Sequence, residues 1–311
     1  MLPGAPLAAF ATFGRHMLAS WDIDPVYPVL RQVIADLDLD EAHADWLTVL
    51  YLAYYELSSG ITAFIEHPDP ERSDILADLA VLKLPTGIER RGLRDPNCMH
   101  GHLLDWLTRF DGRSFFTAAK DALTDEPEVN DSTLSWYFRG VKYNGRWASY
   151  KGCEVLHKVR DYPNRARDAG HEDSTGPRLG LGLFFPTVKG NRPVDIRLLN
   201  HQTDLLMACA LEHGTRLAVD ECETLLCDFR SLTLGRYYVG HDTDLMLEGM
   251  LAAPEQTQAV LQAGRRALPV QYLGEVRRPQ WVERDREAMH AYAERGAILY
   301  RNGRGEFEDA A

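Results

Sequence analysis

Apolar residues recur at three- and four-residue spacing along most of the chain, a period that predicts helices almost throughout. Behind Asp24 and Pro25, a cap followed by a residue suited to a first helical turn, Tyr27, Leu30, Val33, Ile34 and Leu37 share one face. From Glu41 to Leu57 the buried stripe reads Trp46, Leu47, Leu50, Tyr51, Tyr54 and Leu57. Ser73 and Asp74 are read as the cap of a short helix ending at Leu82. Further helices are predicted from His100 to Phe110, from Ser114 to Leu123, and from Asp131 or Ser132 through Trp136, Tyr137 and Phe138. Others follow from Arg146 to Arg160, Asn200 to His213, Glu221 to Ser231, Pro254 to Leu268 and Glu283 to Ala293.

Period-two alternation is scarce, so the expected fold is mainly α, a single helical globular domain. Its expected limits are residues 22–252, with an N-terminal extension over 1–21 and a C-terminal helical extension over 253–311. The acidic stretch from Thr124 to Asn130 is the best internal boundary, a weak one. The apolar start from Leu2 to Phe13 has no leading positive charge and contains Pro3 and Pro6, so it reads as neither signal peptide nor membrane span. The end from Gly303 is expected to fray. Five Cys with no C-x-x-C pair argue against a disulfide framework or a Cys-based zinc site and point to a reduced, cytoplasmic setting.

Charge sharpens this picture. The chain is acidic, with 34 Lys and Arg against 46 Asp and Glu, yet the window from Arg139 to Arg197 holds 12 basic residues against 6 acidic ones. Acidity overall weighs against loose coating of DNA but not against a focused site, because fields are local at physiological salt. Aromatic rings interleave with cations from Trp136 to Lys151, as a platform for stacked bases would require. Trp136, Tyr137 and Tyr143 are the stacking candidates. The plainer alternative, core aromatics beside solvated charges, is the commoner fate of such residues.

Several groups are candidates for chemistry. Arg90 and Arg91, behind a Pro/Gly turn, form either an anion clamp or a surface loop. Arg146 and Lys151 suit phosphates, with Glu154 orienting one of them or accepting a proton; the alternative is an ordinary surface ion pair. The stretch from Asp173 to Arg178, read as a loop, leads into Gly180-Leu181-Gly182, which is suited to presenting N–H groups and Arg178 to an anion. Its spacing fits neither a P-loop nor a dinucleotide fingerprint. His241, Asp242 and Asp244, on an expected loop behind Gly240, suit a divalent metal or a general base. Alternatively Asp242 caps the next helix, Asp244 faces solvent or pairs with Arg236, and His241 is incidental.

Three runs carry a resemblance: Arg90-Arg91-Gly92 after Leu-Pro-Thr-Gly; Gly145-Arg146-Trp147-Ala148, with Lys151 and Glu154-Val155-Leu156; and Glu223 to Arg230, with Gly235-Arg236-Tyr237-Tyr238-Val239-Gly240-His241-Asp242 and Asp244. Together they resemble the phage-associated amino acid:DNA transferases, also described as α-glutamyl/putrescinyl-thymine pyrophosphorylases, from about Asp22 to Met250. The resemblance implies a DNA substrate in which thymine is replaced by 5-hydroxymethyluracil, pyrophosphorylated by an upstream 5-hydroxymethyluracil DNA kinase. An amine, from an amino acid or a polyamine, then displaces pyrophosphate and leaves hypermodified thymine. The demands of that reaction suggest roles. Arg90, Arg91, Arg146, Lys151 and Arg178 would neutralise the leaving group. Asp242, Asp244 or His241 would take the amine proton, and Arg236 would hold an amino acid carboxylate. Trp136, Tyr137 or Tyr143 would stack on the flipped base. An all-helical architecture similar to helical DNA glycosylases is expected, since both act on flipped bases. The motifs fix no cofactor; a divalent metal with pyrophosphate stays open, and its ligands are unknown. No membrane partner is expected, and the setting is the cytoplasm of a bacterial or phage-infected host cell. The competing readings are a base-flipping glycosylase or lyase, a non-catalytic DNA-binding module and a metal phosphohydrolase.

Overall fold

The computed structural model describes residues 4–70, 78–79, 82–172, 174–186, 188, 195–274 and 283–310. The expected cap at Ser73 and Asp74 lies outside them, as does Asp173. In chain order the helices are α1 (Gly4–Ser20), α2 (Val26–Asp36), α3 (Glu41–Tyr54), α4 (Leu57–Glu66), α5 (Pro96–Thr108), α6 (Phe115–Lys120) and α7 (Pro127–Gly140). They continue as α8 (Arg146–Arg160), α9 (Thr175–Leu181), α10 (Ile196–Glu212), α11 (Val219–Thr233), α12 (His241–Ala252), α13 (Glu255–Gly264) and α14 (Glu283–Arg295). A 3₁₀ helix spans Ile88–Arg94, and β1 (Leu299–Arg301) pairs antiparallel with β2 (Phe307–Asp309). The fold is mainly α. The end from Gly303, expected to fray, is instead paired: Arg301 lies opposite Phe307, and Ala310 N donates to Ile298 O at 2.8 Å.

Helix ends follow from local chemistry, and some differ from the sequence reading. The Asp40 side chain accepts from His43 N at 3.0 Å and caps α3. That helix stops at Tyr54, because Tyr55 turns left-handed (φ 48°). Glu56 then caps α4 through Ser58 N (3.2 Å) and Ser59 N (2.6 Å). The apolar pattern continues across this break, so periodicity alone runs the two helices together. Asp95 with Pro96 starts α5 ahead of the expected His100, and Asp195, not Asn200, caps α10.

The chain divides into two compact units, each built from separated stretches: 1–25, 166–245 and 268–311 in the first, 26–165 and 246–267 in the second. Residues 1–21, expected as an extension, supply α1 to the first unit's core. Phe10, Phe13 and Met17 are fully buried there, and Phe10 meets Phe184 and Phe229 at 5.2 and 5.4 Å between ring centroids. The Gly-rich stretch around Gly180 is not a loop but α9, packed tightly on α11. A Cβ on Gly180 would lie 2.0 Å from Leu226 O, and one on Gly176 2.2 Å from Cys227 Sγ.

The second unit centres on Trp106, which meets Phe115 at 4.6 Å and Phe138 at 5.5 Å. The stretch from Thr124 to Asn130 lies inside this unit. Buried Asn130 pins it by accepting from Thr124 N (2.7 Å) and donating to Thr124 O (2.8 Å) and Pro163 O (2.6 Å). Among the described residues, no helix is long and apolar enough to cross a membrane.

Candidate active site

In the first unit the run from Gly235 to Asp244 forms a turn and a helix start. Tyr237, Tyr238 and Val239 are buried, and Gly240 adopts φ +109°, where a Cβ would also meet Tyr272 Oη at 2.9 Å. His241, Asp242 and Asp244 do not lie on a loop; they occupy the first turn of α12. The Gly240 and Thr243 N–H groups at the start of that helix are buried. Both are satisfied by Asp22, which lies 218 residues before Gly240 in the chain. Its carboxylate accepts from Gly240 N (2.7 Å), Thr243 N (2.8 Å), Thr243 Oγ1 (2.8 Å) and Tyr237 Oη (3.2 Å). Asp22 is fully buried. Burial, and then the nearby charge of Asp242, push its pKa from 3.8 to about 7 against the opposing hydrogen bonds of Thr243 and Gly240. Capping residues are read from sequence beside the helix they cap, so nothing in the sequence around Asp22 marks this role.

A carboxyl that holds its proton more tightly when folded stabilises the fold most below pH 3.8 and loses that contribution as pH rises through about 7. The stability advantage of wild type over Asp22→Asn, read from urea midpoints, is therefore expected to shrink between pH 4 and 7. A constant difference would count against this electrostatic account.

On the same turn, His241 Nδ1 lies 3.0 Å from Asp242 Oδ1, and the imidazole packs against Tyr237 at 4.9 Å between centroids. Burial lowers the His241 pKa, but the Asp242 hydrogen bond and the charges of Asp242, Asp22 and Asp244 outweigh it, leaving a net rise above 6.5. Asp242 is 38 % exposed and His241 18 %, so the pair opens outward. Asp244 is committed elsewhere. Tyr238 Oη donates to it at 2.6 Å, and Arg301 of β1 forms its ion pair while lying over the Phe307 ring. The expected partner of Asp244, Arg236, is exposed. Arg178 is buried on α9 and donates to the His171 carbonyl and to Thr175 Oγ1. Among the described residues, no three His, Cys, Asp or Glu side chains are grouped to hold a metal ion.

The other candidates lie in the second unit. Arg90 is buried, which lowers its pKa to about 10. Its Nε donates to Leu52 O (2.8 Å) and its Nη1 to Asn144 Oδ1 (2.9 Å) and Tyr143 O (3.4 Å). The 3₁₀ turn and the Asn144-Gly145 turn that leads into Arg146 are thereby tied together. Arg91 and Arg146 are exposed. Lys151 and Glu154 form a buried pair at 2.8 Å rather than a surface one, with Lys158 on the second carboxylate oxygen at 3.4 Å.

Trp136 is 65 % exposed on α7, and Tyr143 is exposed with φ +64°. Trp136 meets Tyr137 edge-on at 4.9 Å, and Tyr137 meets Phe110 at 4.8 Å, making a ledge of three rings. Arg139 lies one turn beyond Trp136 on α7 and is exposed. The Arg113 backbone bridges to Phe110 while its guanidinium pairs with Asp121 at 2.7 Å, and Arg109 Nε holds Gly140 O at 3.1 Å, so exposed arginines neighbour the ledge along the chain. Phe110, Arg109 and Arg113 precede the basic window and were not among the sequence candidates. Three rings with cations beside them in the chain suit an unstacked polyanion.

No curated protein matches the chain. Residues 96–238 match the family model described as amino acid:DNA transferase, a span that contains the aromatic ledge, the Lys151–Glu154 pair and the segment that ends at Tyr238. Over residues 96–238 the chain is thus similar to the amino acid:DNA transferase family.

Proposed function

We propose that this protein joins an amine, from an amino acid or a polyamine, to a thymine-derived base in DNA. The match of residues 96–238 to the amino acid:DNA transferase family carries the reading. The substrate base is a pyrophosphorylated 5-hydroxymethyluracil. The amine nitrogen attacks the exocyclic methylene carbon, a C–N bond forms, and the C–O bond breaks with its electron pair leaving on pyrophosphate. The ammonium proton that remains has to be removed, and His241, oriented by Asp242, takes it. Within the second unit, the Phe110–Tyr137–Trp136 ledge is assigned to DNA bases and the neighbouring arginines to phosphates. Arg91 and Arg146 are proposed for the anionic leaving group.

Mass spectrometry of nucleosides tests the reading. DNA carrying pyrophosphorylated 5-hydroxymethyluracil is incubated with the protein and a pool of amino acids and polyamines, then digested. The expected product is a nucleoside with the mass of thymidine plus one amine less two hydrogens. Free modified base without an adduct would point to a glycosylase, and an unchanged digest would remove the transferase reading. Trp136→Ala is expected to weaken single-stranded DNA binding by about 1–3 kcal/mol, by fluorescence anisotropy at fixed salt. Unaltered affinity would exclude the ledge.

A further inference from the structure

Asp22 follows α1 directly, behind a left-handed Trp21 (φ 60°) that is half exposed while Asp22 is fully enclosed. The four groups that donate to it, two backbone N–H and two hydroxyls, are all neutral. An ordinary helix cap needs no such enclosure. A Ser or Asn at position 240 would satisfy the Thr243 N–H locally, were φ not +109° there. The carboxylate lies beneath the turn that carries His241 and Asp242 and makes bonds to the residues on both sides of that pair, Gly240 and Thr243. The groups facing Asp22 are Tyr237 ahead of the helix, His241, Asp242 and Thr243 on its first turn, and Tyr272 from the 3₁₀ turn Val270–Tyr272. Arg301 is spent on Asp244. Among the described residues the hydrogen bonds to Asp22 come from neutral groups, so its charge, where it is ionised, acts on the His241–Asp242 pair.

We propose that Asp22 is a positioning residue for the His241–Asp242 pair, its carboxylate fixing the turn from Gly240 to Thr243 and its charge favouring the protonated imidazole. The proposal rests on the reading of His241 as the acid–base group and adds a residue that touches no substrate. It explains why a buried carboxyl is kept beside Asp242 at an electrostatic cost. Two carboxylates near one imidazole hold a proton in the cluster close to neutral pH, where the amine proton has to be received and passed on.

Histidine-ring NMR tests this on the full chain without substrate. The ring is labelled with ¹³C and ¹⁵N, and the His241 signal is assigned by its loss in His241→Gln. Asp22→Asn is expected to lower the His241 titration midpoint by roughly one pH unit, as loss of a nearby opposite charge does. A purely structural role would lower the thermal midpoint and leave the titration in place, which overturns the proposal. If Asp22→Asn does not fold, Thr243→Val takes its place. It removes one donor at near-constant shape, leaves Asp22 less ionised at a given pH, and is expected to lower the midpoint by a smaller amount. An unmoved midpoint in that variant also overturns the proposal. If wild type forms no amine adduct on DNA, the functional reading fails while the titration still decides the role of Asp22.

Discussion

His241→Gln is expected to lower amine transfer by roughly 10²–10⁴-fold while DNA affinity and the unfolding midpoint stay near those of wild type. With Nδ1 hydrogen-bonded to Asp242 at 3.0 Å, Nε2 is the ring atom left to accept the proton. The glutamine amide keeps a polar group of similar reach but has no titration near neutrality. The pH profile adds an independent check. Burial pulls the His241 pKa down, the hydrogen bond and neighbouring carboxylates push it up, and the net is a rise above 6.5. Transfer is therefore expected to increase with pH through that raised value as the imidazole loses its proton. Asp242→Asn removes the strongest of the raising influences, so the acid limb is expected to move to lower pH while the plateau falls. Full activity in His241→Gln, or a limb that stays in place in Asp242→Asn, would remove His241 from the chemistry and return attention to Asp242 itself.

Gly180→Ala is expected to destabilise the protein by about 3 kcal/mol, because its added methyl meets backbone rather than a side chain that can swing away. The Cβ position lies 2.0 Å from Leu226 O and 2.6 Å from Leu226 C, so α9 and α11 have to part by roughly 1 Å to restore contact distance. That movement strips packing from Leu181, Leu225 and Leu226, all fully buried in the first unit's core. Gly101→Ala is the matched control. It sits inside α5 with nothing within 4 Å of its Cβ position, and is expected to stabilise by ~0.5–1 kcal/mol through reduced freedom of the unfolded chain. Urea denaturation of both variants measures the contrast. A Gly180→Ala midpoint equal to wild type would mean that the α9–α11 contact is looser than its geometry states.

The helices are legible from local pattern alone, because a 3.6-residue period, a capping side chain and a Pro or Gly stop all act within a few residues. The helix from Arg146 to Arg160 has the limits its pattern predicts, and Gly235 ends α11 with a positive φ of 67°. Where the local signal was continuous, as across Tyr54 to Leu57, two helices read as one. What the glycines near position 180 are for was settled only by tertiary packing. Their spacing is the same for a loop that presents N–H groups and for a helix that lies against α11, and only the proximity of Leu226 and Cys227 distinguishes the two. The same holds for charge. Periodicity left Lys151 and Glu154 free to be a surface pair, and the fold buries them, while Asp244 finds Arg301 rather than the nearby Arg236. Asp22 is the extreme case. A carboxylate acquires its partners, its burial and a pKa near 7 only when a residue 218 positions away folds against it, and no local pattern encodes a distance that the chain closes by folding.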